Sequence, residues 1–328
     1  MKKALITGIA GQDGSYLAEL LLAQGYEVHG LVRRAAIEDT EHKLRNVGHL
    51  LGRIKLHVAS LDNVLSLIKI VKDIVPDECY HFAASSFVSY SFEDEISIIN
   101  NNVNSTHYLL AAIKEFAPDC RVYFAGTSEM FGTVEHEPQD ELTPFNPRSI
   151  YGISKVASYH LIKNYREQYG MFACSGILYN HESPRRGYEF VTRKIVSSAV
   201  KIKLGLQKTL ALGNLEARRD WGYAPDYVRA MWLMLQAELP DDYVVATGET
   251  RTVREFVEAT FSALELDYRG YVTVEPRFFR PTEKIDLCGN PTKIITRLGW
   301  ERTKAFPDIV REMVDHEMQL HTNKRQVY

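Results

Sequence analysis

Short, almost unbroken apolar runs alternate along this chain with longer stretches whose apolar positions recur every three to four residues. The short runs are rich in β-branched residues and predict strands at Ala4–Thr7, Glu27–Val32, Lys55–Ala59, Cys79–Ala83, Arg121–Ala125 and Ala173–Leu178. The longer stretches predict helices at Tyr16–Ala23, Leu65–Ile74, Asn102–Glu115 and Ser154–Tyr169. Strict alternation of this kind predicts an α/β fold with a doubly wound parallel sheet. Met1–Gly8 reads as a first buried strand, because its apolar run is too short for a signal peptide and Asp13 soon interrupts it.

After Tyr179 the pattern becomes irregular. Asn180–Gly187 reads as polar and turn-like, Thr192–Lys203 as a helix, Thr209–Leu212 as a short strand and Asn214–Asp220 as a charged loop. Tyr243–Thr247 resembles another strand, and helices are expected at Val253–Leu264 and Phe306–Gln319. This predicts a smaller lobe woven into the first: residues 1–178 with about 214–248 as a dinucleotide-binding unit, and about 179–213 with 249–328 as the substrate lobe.

Composition narrows the classes. The 328 residues are 45% hydrophobic and 25% charged, which suits a globular protein with a sizeable core. The net charge of −3 argues against a general nucleic-acid or membrane-surface role. No apolar run approaches the length of a membrane span. Cys79, Cys120, Cys174 and Cys288 are scattered, with no CxxC pair and no neighbouring histidine cluster. A cytoplasmic protein without disulfides or a bound metal is expected.

Candidate chemistry begins at Gly8-Ile-Ala-Gly11-Gln12-Asp13-Gly14, a GxxGxxG turn between the first strand and the first helix. Glycines there let backbone N–H groups approach a pyrophosphate, and the helix presents its positive end to that anion. Arg33-Arg34 closes the second strand, where a 2′-phosphate would sit, so NADP is the expected cofactor and NAD remains open. Tyr151 and Lys155 stand at i and i+4, hence on one helical face. Lys155 is expected to lower the Tyr151 pKa, so that the phenolate can take a hydroxyl proton. Thr127-Ser128-Glu129 follows the fifth strand, at the sheet edge that lines ligand crevices, where it could hold a sugar or merely cap a helix.

These residues resemble the extended short-chain dehydrogenases that act on nucleotide-sugars. Longer segments narrow the resemblance to the GDP-mannose 4,6-dehydratase family: Thr7–Leu22, Asn104-Ser-Thr-His107, Tyr179–Gly187, Gly213–Asp226 and Phe279–Glu283. The resemblance spans nearly the whole chain. It implies a Rossmann fold and a redox-neutral reaction on a GDP-sugar. C4 is oxidised, the C5 proton removed, water expelled from C6 and hydride returned to C6, giving a 4-keto-6-deoxy sugar.

By position, the resemblance implies Tyr151 as the C4 hydroxyl base with Lys155 beside it, Glu129 as the C5 base, Thr127 near O4 and Ser128 near the C6 hydroxyl. It implies cofactor contacts from Gly8, Gly11, Gln12, Asp13, Gly14, Arg33, Arg34, Leu61, Asp62, Ala83, Ser85, Tyr151, Lys155, His181 and Arg186. The GDP-sugar would be held by Ser85, Asn180, Lys194, Arg219, Arg280 and Glu283. Homodimers or homotetramers are implied, with Arg33–Arg34 near a subunit contact. Three positions depart from the family pattern: Ala35-Ala36 replaces serines after the arginines, Ser60-Leu61-Asp62 shifts an aspartate, and Phe87 replaces a histidine. The last leaves a GDP-heptose as the alternative to GDP-mannose. A nucleotide-sugar 4-epimerase or reductase would share Tyr151 and Lys155 but has no need of the Glu129 base.

Overall fold

A computed structural model describes residues 1–84, 95–279 and 287–325. The strands are β1 (Lys3–Thr7), β2 (Glu27–Val32), β3 (Lys55–Val58), β4 (Glu78–His81), β5 (Arg121–Ala125), β6 (Ala173–Leu178), β7 (Asn180–Glu182), β8 (Leu210–Leu212), β9 (Arg218–Tyr223), β10 (Asp242–Val245), β11 (Thr250–Thr252) and β12 (Val272–Val274). The helices are α1 (Gln12–Ala23), α2 (Arg34–Glu38), α3 (Thr40–Lys43), α4 (Val64–Ile74), α5 (Glu95–Ile99), α6 (Ser105–Phe116), α7 (Ile150–Tyr169), α8 (Val191–Lys203), α9 (Ala224–Gln236), α10 (Val253–Ala263), α11 (Thr292–Leu298) and α12 (Phe306–Arg325).

Seven strands form one parallel sheet in the order β10-β6-β5-β4-β1-β2-β3. The strand order reverses between β1 and β4, so a crevice opens where their carboxyl ends diverge. The strands read as continuous apolar runs because helices cover both faces. One face packs Leu17, Leu21, Tyr227, Met231 and Trp300 against the sheet, and the other packs Leu67, Val71, Leu109, Ile113 and Ile162. Ile294 of α11 and Trp300, expected in the smaller lobe, pack into the first of these cores. A separate core joins α8, α10 and α12 around Trp221, Phe256 and Phe261. Beside it lie a three-stranded sheet, β11-β9-β7, and the pair β12-β8.

The six strands predicted for the first half are all present, each within two residues at either end. Two helices start four residues before the periodicity suggested. For α1 the reason is that glycine and polar residues fill its first turn; for α7, Ser149 caps the helix by accepting the Gly152 N–H at 3.0 Å. The polar stretch after Tyr179 contains β7, and the charged loop leads into β9; these two strands pair with each other. Helix α9 was not foreseen, since Pro225 reads as a breaker although it sits in the helix's first turn, where its missing N–H costs nothing. Among the described residues no helix is long and apolar enough to cross a membrane.

Candidate active site

Two close approaches and a bare helix cap shape the glycine loop. Gly8 has φ +77°, a left-handed conformation, and a Cβ there would lie 3.1 Å from the Ala83 backbone nitrogen. A Cβ on Gly14 would fall 2.4 Å from the Gly8 carbonyl oxygen, so the helix can begin only if that position is bare. Gly11 is the N-cap of α1 and supplies no side chain to cap it. The first-turn N–H groups are therefore left facing the crevice, which suits an anionic pyrophosphate.

A web of side chains ties this helix to β7 and the loop after it. Gln12 donates to the His181 carbonyl at 3.1 Å, and Ser183 donates to Gln12 Oε1 at 2.8 Å. Arg185 reaches Ser15 and Glu19 and lies over the Tyr16 ring. At the centre, His181 Nε2 stands 2.9 Å from Asp13 Oδ2, and its Nδ1 stands 2.8 Å from the Tyr179 carbonyl. Both ring nitrogens face acceptors, an arrangement that only the imidazolium satisfies. Burial works against both charges, yet each charge supports the other: Asp13 is held below its ordinary value and His181 above its own. Tyr227 stacks on the imidazole with centroids 4.5 Å apart.

Catalytic candidates converge at the next strand ends. Thr127 accepts the Glu129 N–H at 3.3 Å and so caps the turn Ser128–Met130, while Ser128 is buried. That turn presses on the start of α7: a Cβ on Gly152 would sit 2.7 Å from the Glu129 carbonyl oxygen. Glu129 is thereby brought beside Tyr151. Lys155, on the same face of α7, donates to the Ala125 carbonyl at 2.8 Å, with its Nζ 5.8 Å from the Tyr151 ring centre.

The electrostatics differ from the expectation. Burial pushes the Tyr151 phenol up, Glu129 adds to the rise, and Thr127 and Arg186 oppose it. Burial also pulls Lys155 down to about 7. Lys155 donates one N–H to the Ala125 carbonyl, and the phenol stays raised although Lys155 shares its helical face. Arg186 pairs with Glu182 at 3.3 Å and lies over the Phe190 ring.

The remaining expected residues divide. Asn180 lies on β7 opposite Trp221, and Ala83 donates its N–H to Thr7 Oγ1 at 3.1 Å. Lys194 donates to the Ala211 carbonyl at 2.8 Å, and Arg219 to the Arg218 carbonyl at 2.7 Å. Arg33 precedes α2, and Arg34 is exposed and paired with Glu38 at 3.1 Å. Leu61, half-buried, and Asp62, exposed, follow β3 in a turn. Ser85, Phe87, Arg280 and Glu283 lie outside the described residues. Sequence reasoning missed His81, Asn102 and Thr106, which are buried polar residues behind the crevice. Asn102 and Thr106 at i and i+4, on an otherwise apolar helical face, were a legible signal.

A parallel sheet with a glycine turn at its reversal point and a Tyr/Lys pair at the neighbouring strand ends defines a short-chain dehydrogenase-type enzyme. The sequence matches the family model described as GDP-mannose 4,6 dehydratase over residues 5–313, and the chain belongs to that family. It is 49% identical to GDP-mannose 4,6 dehydratase 2 of Arabidopsis thaliana, covering 97% of this chain and 87% of that one. It is 46% identical to the GDP-mannose 4,6 dehydratase of Homo sapiens, over 97% and 91% of the two chains. Among solved structures, a Thermus thermophilus UDP-glucose 4-epimerase in complex with NAD is similar at TM-score 0.83 and 28% identity, covering 96% of this chain and 98% of the other.

Proposed function

We propose that this enzyme converts GDP-mannose to GDP-4-keto-6-deoxymannose with a nicotinamide dinucleotide that ends each turnover unchanged. A bound nicotinamide supplies the hydride acceptor at C4 and the hydride donor at C6. Gly8, Gly11 and the first turn of α1 would hold its pyrophosphate, and Arg33 and Arg34 would hold a 2′-phosphate, which favours NADP. Asn180, Lys194 and Arg219 would hold the GDP-sugar.

As the phenolate, a form that burial disfavours in the ligand-free site and that a bound cationic nicotinamide would favour, Tyr151 takes the O4 proton as hydride leaves C4. The resulting ketone acidifies C5, so a carboxylate suffices as base there. Glu129 removes the C5 proton and returns it to the departing C6 hydroxyl as water. The proton that Tyr151 took balances the one that ends on C5 when hydride reaches C6. The observation that carries this reading is the Glu129 turn seated on Gly152 beside Tyr151. A simple 4-epimerase or reductase would not need a carboxylate there.

Mass spectrometry of the product tests the reading. The expected result is loss of one water from GDP-mannose with no net change in NADPH absorbance. Glu129→Gln should abolish that loss while NADPH affinity stays within about twofold. Water loss from a GDP-heptose alone would move the substrate assignment, and water loss from neither would overturn the dehydratase reading.

A further inference from the structure

Behind the crevice a line of buried polar groups runs from the cofactor loop to the catalytic helix. Thr7, the last residue of β1, immediately precedes Gly8. Its Oγ1 accepts the Ala83 N–H at 3.1 Å and lies 2.8 Å from His81 Nδ1. His81 Nε2 lies 3.2 Å from Thr106 Oγ1, and that hydroxyl donates to the Asn102 carbonyl at 2.8 Å. The Asn102 amide donates to Ser154 Oγ at 3.0 Å, and Ser154 donates to the Tyr151 carbonyl at 2.7 Å. Thr7, His81, Asn102, Thr106 and Ser154 are all at most 3% exposed, so water does not substitute for any link.

The bonds run head to tail from the Ala83 N–H to the Asn102 backbone carbonyl, and the Asn102 side-chain amide then starts a second run through Ser154 to the Tyr151 carbonyl. Thr106 gives its only proton to Asn102, at a distance shorter than its contact with His81. It must therefore accept from His81 Nε2–H, which leaves Nδ1 to accept from Thr7. This is the neutral tautomer, and burial together with nearby Lys155 pulls the His81 pKa down to about 3. The chain turns at a π-helical segment, Asn100–Asn104, where the Asn102 carbonyl also accepts from Ser105 and Ser158, each at 3.3 Å. Turns of this kind are frequent at functional sites. Hydrogen bonds aligned head to tail polarise and stiffen one another.

We infer that His81 is a positioning residue whose two ring nitrogens fix the register of the Tyr151 helix against the cofactor loop. The inference rests on Tyr151 being the C4 base, as proposed above. Hydride and proton transfer at C4 need the sugar held between the two elements that this chain connects. A shift of about 1 Å between reacting groups can cost about 100-fold in rate.

The test is the rate of NADPH absorbance growth in a single turnover of the NADP-loaded enzyme with GDP-mannose. His81→Leu removes both links, His81→Asn keeps an acceptor for Thr7, and Thr106→Val keeps shape but removes the hydroxyl. Each should slow the hydride phase at least tenfold, with KM for GDP-mannose and NADPH affinity changed less than threefold. Thr106→Ser should restore the rate to within twofold. The His81→Leu, Thr106→Val double variant should be no slower than the worse single one. The pH profile should keep its shape, because His81 does not titrate in the working range. Unchanged hydride rates in folded Thr106→Val, or additive losses in the double variant, would overturn the inference. Tyr151→Phe in the parent separates the two readings: full turnover there would sink the base assignment, whatever the His81 variants do.

Discussion

Both edges of the large sheet bury charge, and they do so to opposite ends. At the amino edge Glu78, the first residue of β4, is fully buried and accepts four hydrogen bonds. Its donors are Lys2 at 3.0 Å, Tyr26 at 2.9 Å, Tyr80 at 2.7 Å and Gln236 at 3.1 Å. Lys2, Tyr26 and Gln236 come from segments that must meet there for the sheet to close, Tyr80 comes from β4 itself, and four bonds match what a carboxylate ordinarily accepts. At the carboxyl edge the α1 first turn lacks a side-chain cap, Lys155 donates only one of its N–H groups, to a carbonyl, and Tyr151 is held as a neutral phenol. There the protein leaves donors and acceptors for something else to use. Satisfied burial marks what holds the fold, and spare capacity marks where chemistry occurs.

The largest effect should come from breaking the closed edge. Glu78→Ala leaves the buried Tyr80 hydroxyl without its acceptor and Lys2 without its partner. A loss of about 3 kcal/mol is expected, read as a lower midpoint in urea unfolding. Turnover per folded molecule, measured well below the melting temperature, should stay within about twofold. A loss of turnover without a loss of stability would contradict the division between the edges.

The Asp13–His181 pair sharpens the comparison, because it is closed like Glu78 yet stands at the open edge. His181 has a raised folded pKa, so its contribution is complete below its ordinary 6.5 and fades as pH rises through the folded value. Asp13 has a lowered one, so its contribution is present above its ordinary 3.8 and fades as pH falls through the folded value. The pair is strongest between those ordinary values. His181→Gln should cost about 2 kcal/mol at pH 6, and the gap from the parent should narrow as pH rises. NADPH affinity should fall as well, since the pair anchors the first turn of α1. A gap that widens with pH would refute the imidazolium assignment.

Legibility in the sequence followed the same division. Strands buried on both faces announced themselves through unbroken apolar runs, and the glycine loop through spacing that only bare positions can satisfy. The Tyr151/Lys155 pair was visible as helical spacing, and Ser149 fixes where that helix begins. What periodicity could not show was polar structure. Strand β7 is only three residues long and entirely polar, and β9 begins with Arg218-Arg219, which reads as loop. His81 hid inside an apolar strand, since its partners lie up to 74 and 25 residues away. The direction of the Tyr151 and Lys155 shifts also escaped, because spacing reports proximity but not burial.

Lys155 gives the finest test of spare capacity. Its folded pKa of about 7 lies below the ordinary 10.5, so the folded state resists the proton that the unfolded chain keeps. Between those values the unfolded state binds more protons, and stability from this group therefore rises with pH; below about 7 it levels off. Lys155→Met has no such dependence. The stability of the parent relative to Lys155→Met should climb by about 1 kcal/mol per pH unit between pH 7 and 10, in the ligand-free protein at matched ionic strength. The lysine contributes least to the fold at neutral pH, where the proposed reaction needs it beside Tyr151. Buried groups whose pKa is shifted this far cluster at functional sites. A flat difference across that range would mean that Lys155 is charged in the folded protein and paired as fully as Glu78 is, and the contrast between the two edges would fail at its most informative residue.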